Sequence, residues 1–315
     1  MLKKKFLRFS RSILKIILPF FFKLLLKLKL NRRTINYLHE KSYFSNNLQD
    51  FTSIIKKILL DKKILALDVG AQGGFNSDNF FSKKYHCFFD DILVDPIKTD
   101  SDKLEEKKQI INKGLWSNKE KKRLFVLDNR PGSSSMYSPE KDNFDLHNIK
   151  KKDYSNYDIT REYEVQCDTL DNLLQEINIK NLDYLKIDTQ GAELEILKGM
   201  SNYNPLLIRL EVHIFSMYKD VPSWHELLNY LYKMNYVLID WKGIGSHNTR
   251  IPAEMDMIFI PNFTNDEGKK AILNSKSKFL SLMLIFGQLN LLKIIMRKFN
   301  IQNQEIEKVE DLYFN

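Results

Sequence analysis

Apolar residues along this chain switch repeatedly between two periods. Residues 64–69 (Ile-Leu-Ala-Leu-Asp-Val) form a short run of aliphatic residues closed by Gly70, which predicts a buried strand entering a tight turn. Ahead of it, Phe51, Ile54, Ile55, Ile58 and Leu59 recur at helical spacing and predict a helical lead-in within residues 36–63. After the turn the pattern predicts a short helix over 76–81, a strand over 88–95, a third strand over 110–116 and a short strand over 124–127. Residues 163–167 alternate as a strand, and Asp168 or Thr169 caps the helix that follows. Residues 182–188 read as a buried strand ending in an acid, 192–200 as a helix, and 206–212 as a strand released by the Pro205 break. A helix over 224–234 and strands over 236–241 and 255–260 complete the series.

Strands that alternate with helices predict a parallel α/β sheet with right-handed crossovers. The last two strands are joined by a loop instead of a helix, so one antiparallel strand is expected at the sheet edge. Residues 128–158 are polar and turn-rich, and so long a segment reads as a lid or substrate loop, with plain disorder the alternative.

The glycine turn carries the first chemical signal. Its residues are Asp68-Val69-Gly70-Ala71-Gln72-Gly73-Gly74. Glycine permits positive φ and a close backbone approach to a ligand, and such turns lie at the carboxyl edge of a parallel sheet, where nucleotide-like ligands bind. A dinucleotide dehydrogenase would show G-x-G-x-x-G. Here an acid precedes the glycines, which suits the ammonium and sulfonium of S-adenosylmethionine better than a pyrophosphate. Asp95, 21 positions beyond Gly74, ends the second strand where a ribose hydroxyl pair is gripped. The cofactor-binding set expected from these signals is Asp68, Gly70, Ala71, Gln72, Gly74, Asp95 and Asp188.

Composition narrows the partners. The net charge is +9, yet residues 1–33 contain eleven basic residues and no acid, leaving 38 basic against 40 acidic residues elsewhere. The body is therefore no platform for nucleic-acid phosphates. Within 13–30 the apolar run is interrupted by Lys15, Pro19, Lys23, Lys27 and Lys29, too often for a membrane span and without a signal-peptide cleavage site. A basic, aromatic-rich segment lying on an anionic membrane surface is expected, at the inner face of a cytoplasmic membrane, with docking on the body or on a partner as the alternative. Residues 279–296 are rich in Leu, Ile and Phe and fit either a second membrane-contacting helix or a docked one. Two cysteines, Cys87 and Cys167, suit a reducing compartment, and no cluster shows metal-ligand spacing, so no metal is expected.

Three blocks taken together, Leu67-Asp68-Val69-Gly70-Ala71, Asp168-Thr169-Leu170-Asp171, and the run from Leu185-Lys186-Ile187-Asp188-Thr189-Gln190-Gly191-Ala192-Glu193 to Gly199, closely resemble the FkbM family of S-adenosylmethionine-dependent methyltransferases. Arg209-Leu210-Glu211-Val212 adds to the resemblance, which covers residues 64–261. It implies a class I methyltransferase (Rossmann-like) fold. That fold is a mostly parallel seven-stranded sheet with helices on both faces, here with N- and C-terminal helical extensions. The corresponding division of the chain is 1–60, 61–262 and 263–315. The resemblance further implies O-methylation of a sugar, glycolipid or related secondary metabolite. The sequence departs at Gln72, where the family often has Asn, and at Gln190, where Glu is common. Removing a proton from a sugar hydroxyl calls for a nearby base. Asp188 or His213 is expected to serve, with Glu211 orienting. The loss of charge at Gln190 favours the alternative of a membrane-associated binding module without transfer activity.

Overall fold

The structure, a computed structural model, describes residues 50–71, 81–97, 109–244 and 252–309. All but Asp50 belong to one compact unit, Phe51–Asn315. In chain order the main elements are helix α1 (Thr52–Leu59), strands β1 (Ile64–Val69), β2 (Phe89–Val94), β3 (Gln109–Ile111), β4 (Gly114–Leu115), β5 (Lys121–Val126) and β6 (Arg161–Asp168), helix α2 (Leu170–Glu176), strand β7 (Tyr184–Ile187) and helix α3 (Glu193–Lys198). Then come strand β8 (Leu207–His213), helix α4 (Trp224–Lys233), strands β9 (Tyr236–Ile244) and β10 (Glu254–Pro261), and helices α5 (Asp266–Asn274), α6 (Lys276–Ile285), α7 (Leu289–Phe299) and α8 (Gln304–Glu307).

Seven strands form one mixed sheet in the order β3-β2-β1-β7-β8-β10-β9. The pairs from β3 to β8 are parallel, and β10 is antiparallel to both β8 and β9. The antiparallel strand is thus not at the edge as expected; it is inserted between β8 and β9, and β9 holds the edge. The strand predicted over 110–116 divides into β3 in the main sheet and β4 in a second, three-stranded sheet with β6 and β5.

Strand alternation builds two cores, one on each face. Ile64, Ala66, Tyr184, Leu207, Ile258 and Ile260 meet α1, α6 and α7 on one side. Leu67, Val69, Leu185, Ile187, Ile208, Leu210, Met257 and Phe259 meet α2, α3 and α4 on the other. Helix α6 is buried at every position from Phe279 to Ile285, as befits a helix that is apolar all round. The greasy stretch at 279–296 is therefore docked on the sheet, broken into α6 and α7 at Gly287, whose φ is +70°. No helix among the described residues is long and apolar enough to cross a membrane. Residues 1–33, expected at a membrane surface, and the short helix expected over 76–81 (apart from Phe81) lie outside the described residues.

On the first of these faces the alternation continues with charge. Asp68, Lys186 and Arg209 stand side by side in register across β1, β7 and β8. Lys186 Nζ lies 3.0 Å from Asp68 Oδ1, and Arg209 donates from Nε (3.0 Å) and an Nη (2.9 Å) to Asp256 Oδ1. All four are buried, and the pairing compensates the cost of removing each charge from water.

Residues 128–158 are packed, not loose. Three short 3-10 turns, Pro131–Ser133, Lys141–His147 and Lys151–Tyr157, close over a small core of Leu127, Phe144, Tyr157, Met217 and Tyr218. This segment roofs the carboxyl edge of the sheet.

Candidate active site at the carboxyl edge

The turn after β1 is fixed by backbone contacts that only glycine allows. Gly70 has φ +80°, and a Cβ there would lie 1.8 Å from the Asp188 carbonyl oxygen. The Gly70 N–H donates to Val94 O at 2.9 Å, and the Asp188 N–H donates to Val69 O at 3.0 Å, so the ends of β1, β2 and β7 are locked together. Three strand ends converge there without side chains in between.

Above this junction lies a cavity of about 330 Å³, lined by Val69, Gly70, Asp95, Pro96, Ile97, Lys113, Leu115, Ser134, Lys186 and Asp188, among others. Asp95 is only 5% exposed, and its Oδ1 accepts the Ile97 N–H at 2.8 Å. Burial pushes its carboxyl up to about 6, with the Asp68 charge adding to the rise against the opposing pull of that N–H and of Lys186. Asp68 itself is buried behind Lys186 and does not line the cavity. Ala71 is buried in the turn, its N–H 3.4 Å from Val94 O. Gln72 and Gly74 lie outside the described residues.

A second cavity adjoins the first through Asp188 and Gln190, which line both. Its walls include Arg130, His147, Tyr157, Glu211 and Glu254. Asp188 has 27% of its side chain exposed there. Gln190, in the left-handed conformation at φ +60°, donates from Nε2 to Asp188 Oδ1 (3.1 Å) and to Glu211 Oε1 (2.8 Å). Its Oε1 lies 3.0 Å from the Tyr218 hydroxyl, which orients the amide. A glutamate at 190 has no hydrogens to give those two carboxylates. The departure at Gln190 is thus a bridge between acids.

The turn carrying Gln190 is held from below by Glu193. Its carboxylate accepts the N–H groups of Thr189 (2.8 Å) and Gly191 (3.0 Å), although burial pushes it up to about 7. Asp171, from the Asp-Thr-Leu-Asp block, accepts the Ser201 N–H (3.0 Å) and hydroxyl (2.7 Å) and ties α2 to the loop after α3. Thr169 is the helix cap, accepting the Asn172 N–H at 3.1 Å. Much of the motif sequence therefore builds the scaffold.

Glu211 is raised well above the ordinary carboxylate range by burial and by Asp188, Glu254 and Asp256. His213, one turn of the pleat further along β8, is buried, stacks on Tyr218 at 5.5 Å and is lowered by burial. Its Nε2 is 3.6 Å from Glu254 Oε1. His147 reaches the same oxygen with Nδ1 at 3.0 Å, while its Nε2 donates to the Phe215 carbonyl at 2.7 Å. Burial would raise Glu254, but the two imidazoles hold it below the usual value. The structure thus brings together Asp188, Glu211 and His213, as expected from strand ends.

Sequence reading missed Glu254, His147, Tyr218 and Lys186. Glu254 was detectable in principle. The first residue of an antiparallel strand sits at the edge where the parallel strands end, and Glu254 pairs directly with His213. His147 and Tyr218 arrive from irregular segments that carry no periodic signal.

A seven-stranded mixed sheet with its antiparallel strand one place in from the edge, a glycine turn at the carboxyl edge and an acid closing the neighbouring strand define an α/β protein of the methyltransferase type. The family model described as the methyltransferase FkbM domain matches residues 68–238, more than half of the chain, and the chain belongs to that family. No curated protein and no solved structure matches it.

Proposed function

We propose that this methyltransferase uses S-adenosylmethionine to methylate a hydroxyl on a sugar, a glycolipid or a related secondary metabolite. The observation that carries the reading is the junction of the two cavities at Asp188. One cavity has the features of a nucleoside site: it opens at the glycine turn, with Gly70 in its wall, and holds a buried carboxylate, Asp95, suited to a ribose diol. The other is polar and carboxylate-lined, as a hydroxylated acceptor requires.

When bound, S-adenosylmethionine would supply an electrophilic methyl carbon on its sulfonium, and transfer to the acceptor oxygen would leave a neutral thioether and the hydroxyl proton for the protein to remove. In this reading Asp188, which lines both cavities, takes that proton. Gln190 and Lys186 hold its carboxylate, the latter with Nζ at 3.7 Å from Oδ2. Glu211, tethered by the same amide, orients the acceptor. His213 is buried and lines neither cavity, so it is further from both ligands than Asp188. The oxidoreductase alternative has no support from the family. The non-catalytic alternative loses its motive once Gln190 is seen to bridge Asp188 and Glu211.

The basic segment 1–33 supports a further part of the reading, peripheral contact with an anionic membrane and hence access to a lipid-linked sugar. Calorimetry with S-adenosylmethionine and with NAD on the full chain tests the core of the proposal. Micromolar binding of the first alone, weakened by Asp95→Ala, is expected; binding of NAD or of neither overturns it. Co-sedimentation with vesicles containing phosphatidylserine tests the tail, and binding undiminished by deleting residues 1–33 overturns that part.

A further inference from the structure

The donor atoms of Glu211, His213 and Glu254 all lie within 4.8 Å of one another. They come from the last turn of the pleat in β8 and from the first residue of β10, two paired strands whose backbone hydrogen bonds fix the separation. His213 is only 9% exposed, and its Nε2 is buried without a hydrogen-bond partner, 3.6 Å from the Glu254 carboxylate. A buried ring nitrogen that makes no hydrogen bond carries an uncompensated desolvation cost unless something else engages it. No described residue gives it a hydrogen bond. The nitrogen faces two carboxylates across a gap too wide for a hydrogen bond and wide enough for an ion.

We propose that these three residues bind a divalent first-row transition ion, Mn²⁺ or Zn²⁺ in preference to Mg²⁺ or Ca²⁺. Two carboxylates with one imidazole form a mixed oxygen–nitrogen donor set, which suits such ions better than the all-oxygen sites of the harder cations. The outer contacts are those of a metal site. The Gln190 amide holds Glu211 at 2.8 Å, and His147 holds Glu254 at 3.0 Å while its own far nitrogen is anchored on a backbone carbonyl. Both carboxylates are thereby held in place by side chains outside the cluster. Glu211 and Glu254 also line the second cavity, so the remaining coordination positions open toward the acceptor. A cation there lowers the pKa of a hydroxyl that reaches it, and Asp188 on the same wall takes the released proton. Only this role rests on the methyltransferase reading; the binding itself does not.

The test is continuous-wave and pulsed electron paramagnetic resonance of the full chain, stripped with chelator and titrated with Mn²⁺ alone. One ion per chain with micromolar affinity is expected, with a ¹⁴N coupling from a directly bound imidazole. His213→Gln is expected to abolish that coupling, and Glu254→Gln to weaken binding at least about tenfold. Absence of tight binding, or a bound ion without ¹⁴N coupling in the unaltered protein, overturns the proposal whether or not the variants fold. Coupling that persists in folded His213→Gln also overturns it. Loss of methyl transfer with Mn²⁺ binding intact would instead count against the proposed reaction and leave the metal site standing.

Discussion

Replacing Asp95 by Asn separates the demands of folding from those of cofactor binding. In the folded chain the Asp95 carboxyl titrates at about 6, against 3.8 for the free side chain, chiefly because it is buried. Two pKa units correspond to about 3 kcal/mol at 1.36 kcal/mol each. The sign follows from the direction of the shift. The native state holds this proton more tightly than the unfolded chain does, so the protein loses stability as pH rises from about 4 to about 6 and nothing further above that. Asparagine keeps an oxygen for the Ile97 N–H and carries no charge. Asp95→Asn is therefore expected to match the parent near pH 4 and to exceed it by up to about 3 kcal/mol at pH 7.5. Urea denaturation of both proteins at several pH values between 4 and 8 measures the difference. A stability gap that is flat across this range, or a variant less stable than the parent at pH 7.5, refutes the reasoning. The same variant should bind S-adenosylmethionine about 10- to 100-fold more weakly, because a charged acceptor for the ribose hydroxyls contributes about 1.5–3 kcal/mol. Stability gained and affinity lost in one substitution would mark the burial of Asp95 as a cost retained for binding.

Three further substitutions probe the scaffold. Gly70→Ala forces a Cβ into the Asp188 carbonyl and adds strain at φ +80°, so a loss of about 4 kcal/mol or more is expected in urea; less than about 1 kcal/mol would show that the strand junction yields. Lys186→Met removes the ammonium 3.0 Å from the buried Asp68 carboxylate and should cost about 3–5 kcal/mol, much of it recovered by adding Asp68→Asn. Simple additivity in that double-mutant cycle would show that the pair is not coupled. Gln190→Glu replaces two donated hydrogen bonds by repulsion from Asp188 and Glu211 and should destabilise by about 2–4 kcal/mol at pH 8, with a smaller effect at pH 5. An equal effect at both pH values would exclude charge as the cause.

Local pattern was enough for the elements and for half of the site. The aliphatic run at 64–69, the acids at Asp95 and Asp188, and the capping Thr169 are signals written within a few residues, and the structure places the two acids just past the ends of β2 and β7 and Thr169 at the start of α2. The family followed from blocks of the same kind, now seen to build the glycine junction, the Glu193-braced turn and the Asp171 tie. Periodicity cannot say which strand lies beside which. It gave no means of placing β10 between β8 and β9, because strand order depends on how two apolar faces are covered at once.

That placement decides which side chains meet at the carboxyl edge. It brings Glu254 opposite His213, and the folded segment 128–158 then delivers His147 to the same carboxylate from more than a hundred residues away in sequence. The charged row of Asp68, Lys186 and Arg209 is likewise invisible in any one strand, where each is a lone polar residue among aliphatics, and becomes a row of paired charges only when the strands are set in register. Sequence by itself determined the α/β class, the family and the acids at the strand ends, because these depend on short-range spacing. Tertiary structure alone determined the clustering of Glu211, His213 and Glu254, the amide bridge at Gln190 and the docking of residues 279–296, because each depends on the distance between groups that the chain keeps far apart.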